Sequence, residues 1–128
     1  MIIFQAHSGL RYLVLLTGVL VVLYAAYGVA TKRPYDKNMR ILAAVFTGTV
    51  DLTALFGFAY LFVGTFYPQL GGHIATMILA VVVAHVISAV MKRRPVEQRT
   101  YMPHLIGAVI VLALIATGIT AIGRPIVG

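Results

Sequence analysis

Residues 12–30 read YLVLLTGVLVVLYAAYGVA, 19 residues in a row without a formal charge. About 20 such residues, coiled as a helix, cross the roughly 30 Å hydrocarbon core of a bilayer. The stretch is therefore read as a membrane span, and it is the first of four. The apolar runs extend over about Ile2 to Ala30, Ile41 to Tyr67, Gly72 to Met91 and Met102 to Ile122. Each must be helical, because lipid offers no partner for backbone N–H and C=O groups. The first two are long enough to tilt or to protrude. Short connections make consecutive helices antiparallel neighbours. The expectation is an all-α, integral membrane, up-down-up-down four-helix bundle, with residues 1–128 as one transmembrane domain.

Composition excludes the other broad classes. Of 128 residues, 61% are hydrophobic and 10% charged, whereas a soluble domain carries about 25% charged residues. A soluble globular domain, a disordered chain and the usual kind of nucleic-acid-binding domain are all excluded. There is no cysteine, so disulfides, thiolate metal sites and cysteine nucleophiles are excluded too. With only Ser8 and Ser88, and with no Gly-rich phosphate loop or His-Glu-x-x-His pattern, hydrolysis and phosphoryl transfer have no visible machinery.

The formal charge of +7 is unevenly placed. Lys32, Arg33, Lys37 and Arg40 form one cluster, and Lys92, Arg93, Arg94 and Arg99 another. Two crossings separate these loops, so they share a face, where they can touch anionic headgroups. By the positive-inside rule that face is cytoplasmic and both termini lie outside. No basic segment precedes the first run, and the run is long, so it is expected to be a retained helix rather than a signal peptide. Tyr24, Tyr27, Tyr35 and Tyr101 fall near the inner interface, and Phe4, Phe66 and Tyr67 near the outer one, as in aromatic belts. The spacing of seven in Gly57, Gly64 and Gly71, together with Gly107 and Gly118, offers places for close helix approach.

In so apolar a chain the ionisable residues inside the helices carry the information. They are His7, Arg11, Asp51, His73, His85 and His104. His7 and His73 lie at one level near the outer ends of helices 1 and 3, which face each other diagonally across an up-down bundle. Two neutral imidazoles so placed can ligate a haem iron axially. Gly71 and Gly72 leave room beside His73 for a planar ring. Arg11, four residues from His7 and on the same helix face, suits a haem propionate. Met77, four residues from His73, is expected mainly as core. His85 lies twelve residues beyond His73, hence roughly 18 Å deeper and turned by about 120°. With His104 it could serve a second, inner haem. Asp51 lies roughly 16 Å, and His85 roughly 10 Å, from the basic ends of their helices. An Asp51–His85 hydrogen bond would orient that imidazole, while a protonated Asp51 could relay protons or bond a quinone.

The opening His7-Ser8-Gly9-Leu10-Arg11-Tyr12 resembles the His-Ser-Gly-Leu-Arg-aromatic start of small bacterial four-helix membrane proteins of the cytochrome b-like type. The resemblance extends over most of the chain as a layout, with His73 opening helix 3 and the long run before Lys92-Arg93-Arg94, but only the first motif is specific. Some members carry a histidine on helix 2, where this chain has Gly48, Thr49 and Asp51. The resemblance implies haem b, one or two, with His7 and His73 as iron ligands, and a place in electron transfer in the bacterial inner (cytoplasmic) membrane. The partner would be a quinone or a redox protein, in a larger respiratory complex or a homodimer. Two other expectations stand beside it: a cofactor-free accessory subunit of a larger membrane complex, and a small proton-linked carrier using Asp51 and His85.

Overall fold

A computed structural model describes residues 2–64 and 66–126, the side chain of Phe4 lying outside what is described. Four α-helices account for most of the chain: α1 (Ile2–Thr31), α2 (Lys37–Leu61), α3 (Pro68–Arg93) and α4 (Met102–Ala121), with a short 3₁₀ turn at Val96–Gln98 before α4. There is no strand among the described residues. All four helices are long and apolar enough to cross a membrane, as their sequence requires, and the chain is a multi-pass membrane protein.

The helix limits differ from the apolar runs where local chemistry outweighs hydropathy. α2 begins inside the basic loop, at Lys37 rather than near Ile41. The Asp36 carboxylate accepts the Met39 amide at 2.9 Å and caps the first turn, which satisfies one of the donors that every helix start leaves over. It ends at Leu61 rather than Tyr67, where the Gly64 amide turns back onto the Tyr60 carbonyl at 2.8 Å. α3 starts early because Pro68 occupies its first turn, where the missing N–H costs nothing.

Two tight hairpins, α1–α2 and α3–α4, are joined along α1 and α4, while α2 and α3 make the loosest of the neighbouring contacts. The core follows from spacing. Val14, Val21 and Ala25 of α1 face Ala108, Val111, Ile115 and Ile119 of α4, at the three- and four-residue intervals that keep side chains on one helix face. Thr17 and Thr49 share a buried hydrogen bond of 3.1 Å between α1 and α2. α4 is the most enclosed helix, and α2 and α3 show lipid most of their surface.

Aromatic side chains tie the basic end. The Tyr101 hydroxyl donates to the Pro34 carbonyl at 2.9 Å. Its ring lies 6.0 Å from that of Tyr24 and 5.5 Å from that of Tyr35. Tyr24 donates to Asp36. The loop after α1 and the loop before α4 thus meet at one end of the bundle, as alternating helices demand.

Candidate functional site

At the end opposite the basic loops, one layer of the bundle contains His7 of α1 and His73 of α3. Their ring centroids lie 6.4 Å apart with the planes at 88°. The diagonal pairing expected from up-down topology is present. Both rings are half-buried, and each is held by the helix that follows its own in the chain. His7 Nδ1 lies 2.8 Å from the Thr53 carbonyl of α2, and His73 Nδ1 lies 2.8 Å from the Gly118 carbonyl of α4. A carbonyl can only accept, so Nδ1 carries the hydrogen in both rings. In the neutral imidazole that leaves the lone pair on Nε2, the nitrogen through which either ring would bind a metal. Hydrogen bonds of this kind fix tautomer and ring orientation and raise ligand basicity in metal-bound histidines.

Glycines make this seating possible. A Cβ at Gly57 would lie 2.7 Å from the His7 ring, and one at Gly118 would run into Met77 and Thr76 and lie 3.5 Å from His73 Nδ1. The other glycines with notable spacing do other work. Gly107 admits Ile87, Gly64, just past α2, backs onto Tyr60 in the last turn of that helix, and Gly71 and Gly72 open onto empty space beside His73.

Arg11 lies one turn from His7, half-buried, with its terminal nitrogen donating to the Tyr12 hydroxyl at 2.8 Å and its guanidinium 4.7 Å from the Tyr12 ring centre. It stands in the same layer of α1 as the paired imidazoles, a cation held at the apolar end.

The remaining ionisable residues fall into two separate places. His85 Nε2 and Asp51 Oδ1 are 2.7 Å apart, across the outer seam between α2 and α3. The Asp–His bond anticipated from depth alone is present. His104 points inward instead, 6% exposed. Its Nε2 lies 2.8 Å from the Tyr35 hydroxyl, and the two rings stack at 5.7 Å. His85 and His104 are thus not brought together, because α3 and α4 present them to different surroundings. The sequence suggested His85 as the partner of His104 and gave no sign of Tyr35. Tyr35 sits in a loop 69 residues away, a distance at which no periodicity applies.

Among the described residues no group of three or more His, Asp or Glu side chains converges on one point. The pair at the end opposite the basic loops suits a metal that needs only two protein ligands. A metal–imidazole bond is about 2 Å long and the ring centre lies about 1 Å further back, so two rings flanking one metal have centres about 6 Å apart. The observed separation matches. Comparison with protein-family models, with curated proteins and with solved structures returned no match to this chain.

Proposed function

We propose that this chain is a membrane electron-transfer protein of the b-cytochrome class, holding one haem b between His7 and His73. One observation supports it most: two imidazoles from diagonal helices stand 6.4 Å apart with both Nδ1 atoms bound to carbonyls. The donor set fits the group. A porphyrin supplies four nitrogens, so two histidines complete an iron site in a bundle core. His7 and His73 would bind through Nε2. The Thr53 and Gly118 carbonyls would hold the rings in register, and Arg11 would neutralise a propionate carboxylate in an apolar setting. Haem so ligated supplies reversible one-electron transfer. Gly71 and Gly72 leave open space beside His73 for a planar ring.

The partner would be a membrane quinone or a redox protein. The charge asymmetry of the loops supports a basic face inside and the paired histidines towards the outer face, and the resemblance of the opening motif supports a bacterial cytoplasmic membrane. With His85 bonded to Asp51 and His104 to Tyr35, the proposal holds one haem rather than two.

The test is a dithionite-reduced minus oxidised visible spectrum of detergent-purified protein expressed with ample haem, with a pyridine haemochrome count. A sharp α-band and about one haem per chain are expected, and both are expected to be lost in His7→Ala and in His73→Ala. Bis-histidine spectra retained in both variants overturn the ligand assignment. A flat spectrum from the parent chain leaves the cofactor-free accessory subunit as the better reading.

A further inference from the structure

The seam between α2 and α3 carries polar side chains in two matched lines. On α2, Arg40 and Asp51 are eleven residues apart and differ by only about 20° around the helix, with Thr47 between them. On α3, Lys92 and His85 are seven residues apart and again differ by about 20°, with Ser88 between them. The two lines run inward from the basic face and end together at the Asp51–His85 hydrogen bond of 2.7 Å. Between them lies a cavity of about 120 Å³ whose walls include Arg40, Thr47, Ser88, Lys92 and Arg99. α4 adds His104 to that wall, α1 contributes Val21, and the loop before α2 adds Tyr35. No carboxylate lines it; Asp51, the one acidic group along either line, lies one turn beyond Thr47.

The pair at the end of these lines is 53% and 43% exposed on the isolated chain. It lies roughly 10 to 16 Å from the basic ends of its helices, counting 1.5 Å per residue, and hydrocarbon surrounds that depth. Histidine and aspartate sharing one proton are neutral overall. Gaining or losing a proton leaves one net charge at bilayer depth, which is costly unless water reaches it. Ionisable groups inside membrane helices face a water-filled cavity or one another, and mark ion and proton pathways. Here the two groups face one another, and the cavity ends one helical turn short of them: Thr47 and Ser88 line its wall, while Asp51 and His85 lie just beyond it. Arg40, Lys92 and Arg99 line its basic end, and the Thr47 and Ser88 hydroxyls carry polarity to within one turn of the acid–base pair.

We propose that the α2–α3 seam is a water-accessible half-channel through which the Asp51–His85 pair exchanges protons with the solution on the basic face alone. This stands whether or not haem is bound.

The chain lacks cysteine, so single substitutions report on access without background. In vesicles of phosphatidylethanolamine and phosphatidylglycerol, with the basic side identified by trypsin cleavage of the Lys92-Arg93-Arg94 loop, the probe is a membrane-impermeant cationic thiol reagent. Thr47→Cys and Ser88→Cys are expected to react at least tenfold faster than Leu55→Cys, which faces lipid on α2, and only from the basic side. In the unaltered chain, the ¹³C signal of the His85 ring is expected to respond to the pH on that side and not to the pH on the other. Labelling no faster than at Leu55, labelling from the opposite face, or a His85 signal indifferent to pH on the basic side each overturns the proposal. The titration of the unaltered chain decides the matter even if a cysteine variant fails to fold.

Discussion

Two glycines set how closely the candidate ligands are held. A methyl group at Gly57 meets the His7 ring at 2.7 Å, so Gly57→Ala must displace either the ring or α2. Overpacking of this kind costs about 1–3 kcal/mol. The expected outcome is a lower thermal midpoint in detergent together with weaker haem retention. At Gly118 the added methyl meets Met77 and Thr76 first. There Gly118→Ala is expected to lower the midpoint more than it lowers haem content. A parallel melt and haemochrome assay of the two variants separates the effects. Much of this layer was legible beforehand. The levels of His7 and His73, and their diagonal relation, follow from counting residues along antiparallel helices. The carbonyls that hold the rings were not legible, because every residue carries the same backbone acceptor and only packing selects Thr53 and Gly118. The Asp51–His85 bond was foreseeable because depth alone brings the two together, whereas the Tyr35–His104 pair depends on a loop conformation.

Among the elements, the start and the end of α2 were misjudged by hydropathy for a common reason: short polar side chains and turn geometry, not apolar content, decide where a helix starts and stops. Asp36 accepts from Met39 and Tyr24 and lies 3.4 Å from Arg33. Removing an acidic cap costs about 1 kcal/mol, so Asp36→Ala is expected to lower stability by that order and to loosen the loop against Tyr101. The Tyr24 hydroxyl, and then the Met39 amide and Arg33, hold the Asp36 carboxyl below its ordinary range. Its contribution is therefore full above the unfolded value of about 3.9 and is lost as pH falls through the folded value beneath it. Melts between pH 6 and 3 are expected to converge for parent and Asp36→Ala at the acid end. Lys32, just past α1, has φ +53, a left-handed conformation that costs a side-chain-bearing residue about 1–2 kcal/mol. The Arg33 amide reaches back to the Gly28 carbonyl at 3.1 Å, the closure that glycine usually makes. Lys32→Gly is therefore expected to raise the thermal midpoint in a neutral detergent, and an unchanged or lower midpoint would count against strain at this position.

At the scale of the whole molecule, the bundle is two hairpins fastened along α1 and α4 and left slack along α2 and α3. Four spans, a basic end and an apolar end were legible from composition and charge. The unequal tightness of the four seams was not, since apolar residues cover every helix and only the three-dimensional fit of glycine, alanine and threonine ranks the contacts. The slack seam should open first. In lipid nanodiscs, amides of α2 and α3 near Thr47 and Ser88 are expected to exchange hydrogen faster than those of α1 and α4 at equal depth. Uniform protection across all four helices would count against a wetted seam.

The outward-facing pair also bears on how the chain enters the bilayer. α2 is the least apolar of the four spans, and an aspartate at the centre of an inserting helix costs about 2.5–3.5 kcal/mol on the translocon scale. Its hydrogen-bonding partner arrives only with the next helix, after a turn of a few residues. Synthesis that stops at Tyr67 would leave α2 with its acid unanswered and its hold on the lipid weak. Once α3 emerges, the two can leave the translocon as one hairpin, already bonded, before α4 arrives to close the core.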